Sequence, residues 1–396
     1  MIKIGIECEN LEDPKSRWGV GQVTLNLIEE YAKNPEWQKE YKLYLYFKCR
    51  IPDDEVFKNP IFIKRLSGTS SFNFFYHILM PIRAMMDRLD WMFFPAYMLP
   101  PLYLGKSIVM LTDDVYYEYK QGSLPFKYKL AYRLFTNWAA IKAKKILAIS
   151  ETSKKEVARL YNINPEKIFI SYLGVTSPNT KYLIHNTDSN HLLYVGQMFP
   201  RRHAKETILA FKKIAKEFPD LKLVIVGQDK YPPARFAGVS ARRAGRAGNP
   251  SVIDELIQRT NQELGGQRIV YHNYLEKRED LNKLYADAKA FIYVSDREAF
   301  GLPPMEALSF GVPPVVMDNE LGHELFQDYA FYSPQENNPS EALAKEGALI
   351  DNIANTIKQA LTDQQKIVKI KSDGPQFVKK YSRTNFAERF FEHIKE

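Results

Sequence analysis

The stretch from Ala290 to Val316 leaves little freedom in local structure. Ala290-Phe-Ile-Tyr-Val294 is an unbroken apolar run, as expected of a strand covered on both faces of a parallel sheet. Beyond the polar turn Ser295-Asp-Arg-Glu298, Pro303 and Pro304 suit a first helical turn, where the donor that proline lacks has no partner in any case. Gly311 fits the position just past a helix, and Pro313 forbids continuation. The order is therefore strand, tight loop, helix, strand. Glu298 falls in the loop at the strand's carboxyl end and Glu306 on the first turns of the helix, with the amides of Phe300, Gly301 and Leu302 between them. Amides at a helix N-terminus attract phosphate. Two carboxylates around such donors suit a ribose and a sugar on either side of a diphosphate; the bland alternative is a helix-opening turn with surface glutamates.

Short apolar runs alternate with helical patterns along the rest of the chain, which predicts an α/β protein with parallel sheets. In the first half, strands are expected at Ile2 to Ile6, Leu43 to Phe47, Trp91 to Phe94, Ser107 to Leu111, Lys145 to Ile149 and Ile168 to Ile170. The polar stretch Thr176 to Asn190 reads as a linker. The second half restarts at His191 to Val195 and continues with Leu221 to Val226, Ile269 to Tyr271, Phe291 to Val294 and Pro314 to Met317. Between its first two strands Ile208, Phe211, Ala215 and Phe218 recur at helical spacing. A chain of 396 residues with 45% hydrophobic residues can fill two cores. The expected division is 1–178, 179–375, and a terminal helix in 376–396. Only Cys8 and Cys49 occur, which argues against a disulfide framework and fits a reducing cytoplasm. The opening Met1-Ile-Lys-Ile-Gly-Ile-Glu is too quickly charged for a signal peptide, and no window is apolar enough for a membrane span. A net charge of +8 suggests an anionic partner such as a nucleotide diphosphate, a lipid head group or nucleic acid.

The pattern E-A-F-G-L-P-P-M-E from Glu298 to Glu306, followed by A-L-S-F-G-V-P, resembles the signature of family 4 retaining glycosyltransferases of the GT-B fold. The resemblance implies two Rossmann-like domains whose parallel sheets face each other across a cleft, the acceptor on the N-terminal one and the nucleotide sugar on the C-terminal one. It also implies a terminal helix that packs back on the first domain. Trp18-Gly19-Val20-Gly21 resembles the family's glycine loop after the first strand, an approach for phosphate or acceptor, and glycine pairs are also ordinary turns. Tyr194-Val-Gly196-Gln-Met-Phe-Pro-Arg201-Arg202-His203 resembles the loop after the first strand of the donor domain. Arg202 stands there where a lysine is usual and His203 where asparagine or glycine is. A guanidinium can hold phosphate oxygens with two parallel hydrogen bonds, so Arg202 is assigned to the leaving diphosphate, with Lys205 in reserve. By the same resemblance Glu306 takes the ribose, and Glu298 with the Phe300 and Gly301 amides takes the sugar and diphosphate. Thr112-Asp113 departs from a histidine-aspartate pair, so no titrating histidine stands at that site; Asp113 faces the acceptor or caps its own turn. The implied reaction is that of a retaining, metal-independent hexosyltransferase in cell-surface polysaccharide synthesis. Its implied partners are a nucleotide-diphosphate sugar and a glycan or lipid-linked acceptor, with no resident cofactor. The P-R-R-H loop favours GDP-mannose over a UDP-sugar.

Three features stand beside that reading. Phe74 to Arg88 is rich in aromatics and methionine, and Tyr119 to Lys145 carries seven basic residues interleaved with aromatics and no acidic one. Both suit the inner face of an anionic membrane, and equally a core helix with a solvated basic face. The Arg-, Ala- and Gly-rich run 232–250 reads as an insertion: a lid over phosphates, a contact for an anionic polymer, or a solvated loop. Rival classes are a nucleic-acid or anionic-membrane binding protein on a two-domain scaffold, and another GT-B enzyme such as a phosphorylase or an epimerase. Binding alone needs no paired glutamates in such a loop, and no RNA-recognition signature is present among the aromatics.

Overall fold

A computed structural model describes the chain except residues 15, 16, 18, 114, 115, 118, 119, 121–125, 177–189, 232–250, 336–341 and 396, with residues 342–345 given by backbone alone. The linker and its expected boundary after residue 178, the insertion 232–250 and Trp18 of the glycine loop fall outside the described residues. The chain divides into two units, Met1–Gly174 with Tyr381–Glu396, and Val175–Lys380.

Unit 1 holds β1 (Ile2–Glu7), β2 (Tyr41–Phe47), β3 (Ile63–Leu66), β4 (Trp91–Phe94), β5 (Ser107–Met110), β6 (Lys145–Ala148) and β7 (Ile168–Ile170). They pair in the order β3-β2-β1-β4-β5-β6-β7, with every neighbour parallel. The chain runs outward from β1 to β3, then returns to the far side of β1 to lay down β4, which makes the β1/β4 junction the switch point of a doubly wound sheet. Side-chain alternation sends Tyr44, Tyr46, Met92, Phe94, Val109 and Ile146 to one face, under Phe75, Met80, Ala139 and Ala140. The opposite face is covered in part by the helix Arg383–Lys395, whose Phe390 meets Phe93 edge-on at 4.8 Å and whose Phe391 stacks on Tyr41 at 4.8 Å. Backbone carbonyls of that helix also receive Ser171 Oγ at Phe386 (2.8 Å) and Lys145 Nζ at His393 (2.6 Å). At Gly174 a Cβ would lie 2.4 Å from the backbone of Arg383, so only glycine lets the two segments pass.

Unit 2 holds β8 (His191–Val195), β9 (Lys222–Val226), β10 (Ile269–His272), β11 (Ala288–Tyr293), β12 (Pro314–Met317) and β13 (Phe331–Ser333), ordered β10-β9-β8-β11-β12-β13 and parallel throughout. Its switch point is the β8/β11 junction. β3 and β13 are absent from the strands expected above: β3 is a four-residue edge strand containing Lys64 and Arg65, and β13 is three residues long. Among the described residues, no helix is long and apolar enough to cross a membrane.

Candidate functional site

The residues singled out in the sequence divide between the units: Gly196, Arg202, Lys205, Glu298, Phe300, Gly301, Leu302 and Glu306 in unit 2, Gly19, Gly21, Thr112 and Asp113 in unit 1.

In unit 2 the loops after β8 and β11 meet, as ligand-binding loops do beyond the carboxyl ends at a switch point. Gly196 leaves β8 at φ +147°, and a Cβ on Gly227, which follows β9 at φ +148°, would sit 2.0 Å from Gly196 O. Two strand exits therefore touch backbone to backbone, which only glycine allows. The turn Pro200–Arg202 then presents Arg202 inward. Its Nε and Nη2 donate to Glu298 Oε1 and Oε2 at 2.5 and 3.0 Å, and its Nη1 donates to Gln197 O at 3.1 Å. The guanidinium lies over the rings of Phe199 and Tyr293, at 5.5 and 5.4 Å. Both partners of the pair are about 15% exposed (16% and 15%).

Burial works against both charges, and the pairing outweighs it. For Arg202, desolvation alone would lower the pKa, but the neighbouring Tyr293 and Glu298 hold it above its ordinary value. For Glu298, burial would raise the pKa, and Arg202 brings it below the usual carboxylate range. The pair is thus a fixed ion pair in which the fork of one matches the fork of the other. Ser295 Oγ donates to Glu298 Oε1 at 3.2 Å, and Asp296 N donates to Arg201 O at 2.9 Å, which locks one loop onto the other.

His203 follows at φ +45°, a left-handed backbone that asparagine, aspartate and histidine tolerate better than most residues. Its Nε2 is 2.8 Å from Asp296 Oδ1, and its Nδ1 is 3.5 Å from Glu206 Oε2. Desolvation would push this imidazole down, but the bond to Asp296 and the charge of Glu206 raise it to about 9, so it is cationic at neutral pH. Lys205 points elsewhere, with Nζ 2.6 Å from Glu346 Oε1 in a half-exposed pair.

The helix Leu302–Ser309 starts at Gly301, φ +91°, with Pro303 and Pro304 in its first turn; Gly311 follows its end at φ +74°. Phe300 is 3% exposed. Glu306 Oε1 accepts from Arg278 Nη2 at 2.7 Å. Arg278 opens the helix Arg278–Asp287, 28 residues upstream. Sequence reasoning missed Arg278, Asp296 and Gly227. Only Gly227 carries a local signal, a glycine directly after the apolar run Leu223-Val-Ile-Val226.

In unit 1, Gly19 precedes the helix Val20–Lys33 at φ +51° with open space where a Cβ would stand, and a Cβ on Gly21 would lie 3.0 Å from Asn10 O. Thr112 is half-buried. Asp113 is buried and accepts from Ser153 Oγ at 2.8 Å, while the amide of Ser153 is itself capped by Ser150 Oγ. Glu7, also missed, ends β1 with 3% exposure; burial raises its carboxyl to about 8.

The family of glycosyl transferases group 1 matches residues 178–377. The O-antigen chain mannosyltransferase RfbU of Salmonella typhimurium is 26% identical over 208 residues, 52% of this chain and 51% of that protein. O-antigen chain mannosyltransferase B of Escherichia coli is 31% identical over 185 residues, 44% of this chain and 43% of that one. The chain thus spans about half the length of the curated relatives it matches, or less. Anabaena HepE, solved in complex with UDP and glucose, superposes over 100% of both chains with a TM-score of 0.66 at 14% identity, a likeness of fold.

Proposed function

The chain belongs to the glycosyl transferases group 1 family, and from that membership we propose that it moves a hexosyl group, mannose foremost, from a nucleotide-diphosphate sugar to a glycan or lipid-linked glycan acceptor in polysaccharide synthesis. The mannosyltransferase relatives and the P-R-R-H loop favour GDP-mannose as donor over a UDP-sugar.

The observation that carries the reading is the Arg202–Glu298 pair at the β8/β11 junction. As the bond between the anomeric carbon and the diphosphate oxygen breaks, the electron pair stays on the diphosphate. The acceptor hydroxyl oxygen bonds to the same face of the sugar and its proton passes to the departing phosphate oxygen, so retention needs no enzymic nucleophile. Arg202, held in one orientation by Glu298 and dried by Phe199 and Tyr293, stabilises the negative charge that grows as the bond breaks. No essential metal is invoked. Glu306, braced by Arg278, accepts from the ribose hydroxyls.

Calorimetric titration of GDP, UDP and ADP tests the reading. GDP should bind tightest, and Glu306→Gln should weaken it by roughly tenfold or more, the loss of one charge-assisted hydrogen bond of about 1.5 to 3 kcal/mol. Arg202→Ala should lower kcat by about a hundredfold or more while leaving the GDP affinity within a few-fold, because the lost stabilisation belongs to the transition state. Absence of nucleotide binding would refute the function; full turnover in Arg202→Ala would refute the role of the pair.

A further inference from the structure

The segment Phe74–Met86 and the helix Phe126–Lys142 cover the same face of the sheet of unit 1, and neither is an ordinary core element. Of the longer helix only Thr136, Ala139 and Ala140 are buried. Outward, Phe74, Ile78, Ile82 and Met85 stand at helical spacing, and Leu130, Leu134, Trp138 and Ile141 repeat the pattern on the second helix, each exposed. Leu134 is 61% exposed and Ile141 64%, values at which a core role is excluded. The ring of His77 stacks on Phe135 at 5.1 Å, so the two elements lie side by side and their apolar stripes share one surface. Most of the exposed large hydrophobic residues among those described fall between Phe74 and Ile141, so the exposure is local and not a scatter of single side chains.

Charge identifies what the surface meets. No acidic residue occurs from Phe72 to Met86 or from Phe126 to Lys145, whereas Arg83, Lys127, Lys129, Arg133, Lys142 and Lys144 do. Lys127 lies over the Tyr128 ring at 4.9 Å and Lys142 over Trp138 at 5.4 Å, which brings cation and aromatic to the same depth. A protein–protein interface is depleted of charge at its core, and of lysine relative to the rest of the surface. An apolar stripe edged by unopposed lysine and arginine, with tryptophan and tyrosine at the boundary, is the composition of an interfacial helix against anionic lipid.

We propose that this face of unit 1 docks on an anionic lipid bilayer, with the leucine, isoleucine and methionine side chains entering the head-group boundary and the basic residues meeting lipid phosphates. The surface belongs wholly to unit 1, and the proposal stands apart from the transfer reaction, since docking needs no substrate.

Co-sedimentation of the full chain with phosphatidylcholine vesicles, with and without phosphatidylglycerol, tests it. Binding is expected with phosphatidylglycerol and not without it. It should fall by about tenfold or more both in Lys127→Gln/Arg133→Gln/Lys142→Gln and in Leu134→Ser/Ile141→Ser, because partition adds an electrostatic and an apolar part. The substituted residues are at the surface, so melting temperatures and nucleotide binding should stay unchanged and exclude misfolding as the cause. Failure to bind, equal binding to both vesicles, or binding that the substitutions leave intact would overturn the proposal. So would a dimer, seen by sedimentation velocity, that Leu134→Ser/Ile141→Ser dissociates in a chain that ignores vesicles, since that assigns the face to a second copy.

Discussion

Burial pushes the carboxyls of Glu298 and Glu7 the same way, upward, and their outcomes differ because of what stands next to each. Glu298 has the Arg202 guanidinium against both oxygens and stays ionised. Glu7 accepts from the amide of Glu9 at 2.7 Å, while Lys48 engages Glu9; burial, with Glu9 and Glu12 adding repulsion, takes its carboxyl to about 8. The folded value lies above the unfolded one of about 4.5, so the stability Glu7 contributes is complete below that pH and is lost as pH rises through about 8. Urea denaturation at pH about 5 and about 9 should therefore show unit 1 weakening by on the order of several kcal/mol at the higher pH. In Glu7→Gln most of that difference should vanish; an unchanged slope would mean that another group carries it. His203, raised to about 9 by Asp296 and Glu206, gives unit 2 a dependence of the same sign. The sequence could mark Arg202, Glu298 and Glu306, because each sits in a motif with a local shape. It could not show that Arg202 and Glu298, 96 residues apart, share a bidentate pair, or that Glu306 is braced by Arg278, since contacts across strands leave no trace in local spacing.

Elements were legible in proportion to how unbroken their apolar runs are. β4, β7, β8 and β12 coincide with the apolar runs that announced them, and the terminal helix expected within 376–396 is Arg383–Lys395, with Phe386, Phe390, Phe391 and Ile394 buried. The edge strands β3 and β13 were not: Ile63-Lys-Arg-Leu66 carries two charges and Phe331-Tyr-Ser333 is short and partly polar, whereas β7, an edge strand as short as β13, is apolar throughout. The terminal helix makes the plainest energetic claim. Phe390 is fully buried against Phe93, so Phe390→Ala should destabilise unit 1 by about 3 to 5 kcal/mol, measured by chemical denaturation. Arg389→Ala on the exposed side of the same helix should change stability by less than about 0.5 kcal/mol. A small effect at Phe390 would show that the helix rests on unit 1 without completing its core.

At the scale of the whole molecule, alternation of strand and helix announced two parallel sheets, but strand order is a property of long-range pairing and had to come from the structure. The same holds for the assignment of residues 381–396 to unit 1, which the sequence alone supports only through the family resemblance. A chain stopped after Lys380 should still bind nucleotide through unit 2, while proteases should cut unit 1 far faster than in the full chain; loss of both properties would mean that the units do not stand separately. The arrangement also sets a clock. A ribosome that has finished the first 174 residues must add about 200 more before the helix that shields Phe93 and Tyr41 exists. At about 5 to 20 residues per second that is roughly ten to forty seconds. During that interval the nascent first unit shows part of an apolar sheet face, around Phe93 and Tyr41, to every chaperone in reach, and a premature stop codon upstream of that helix leaves it so.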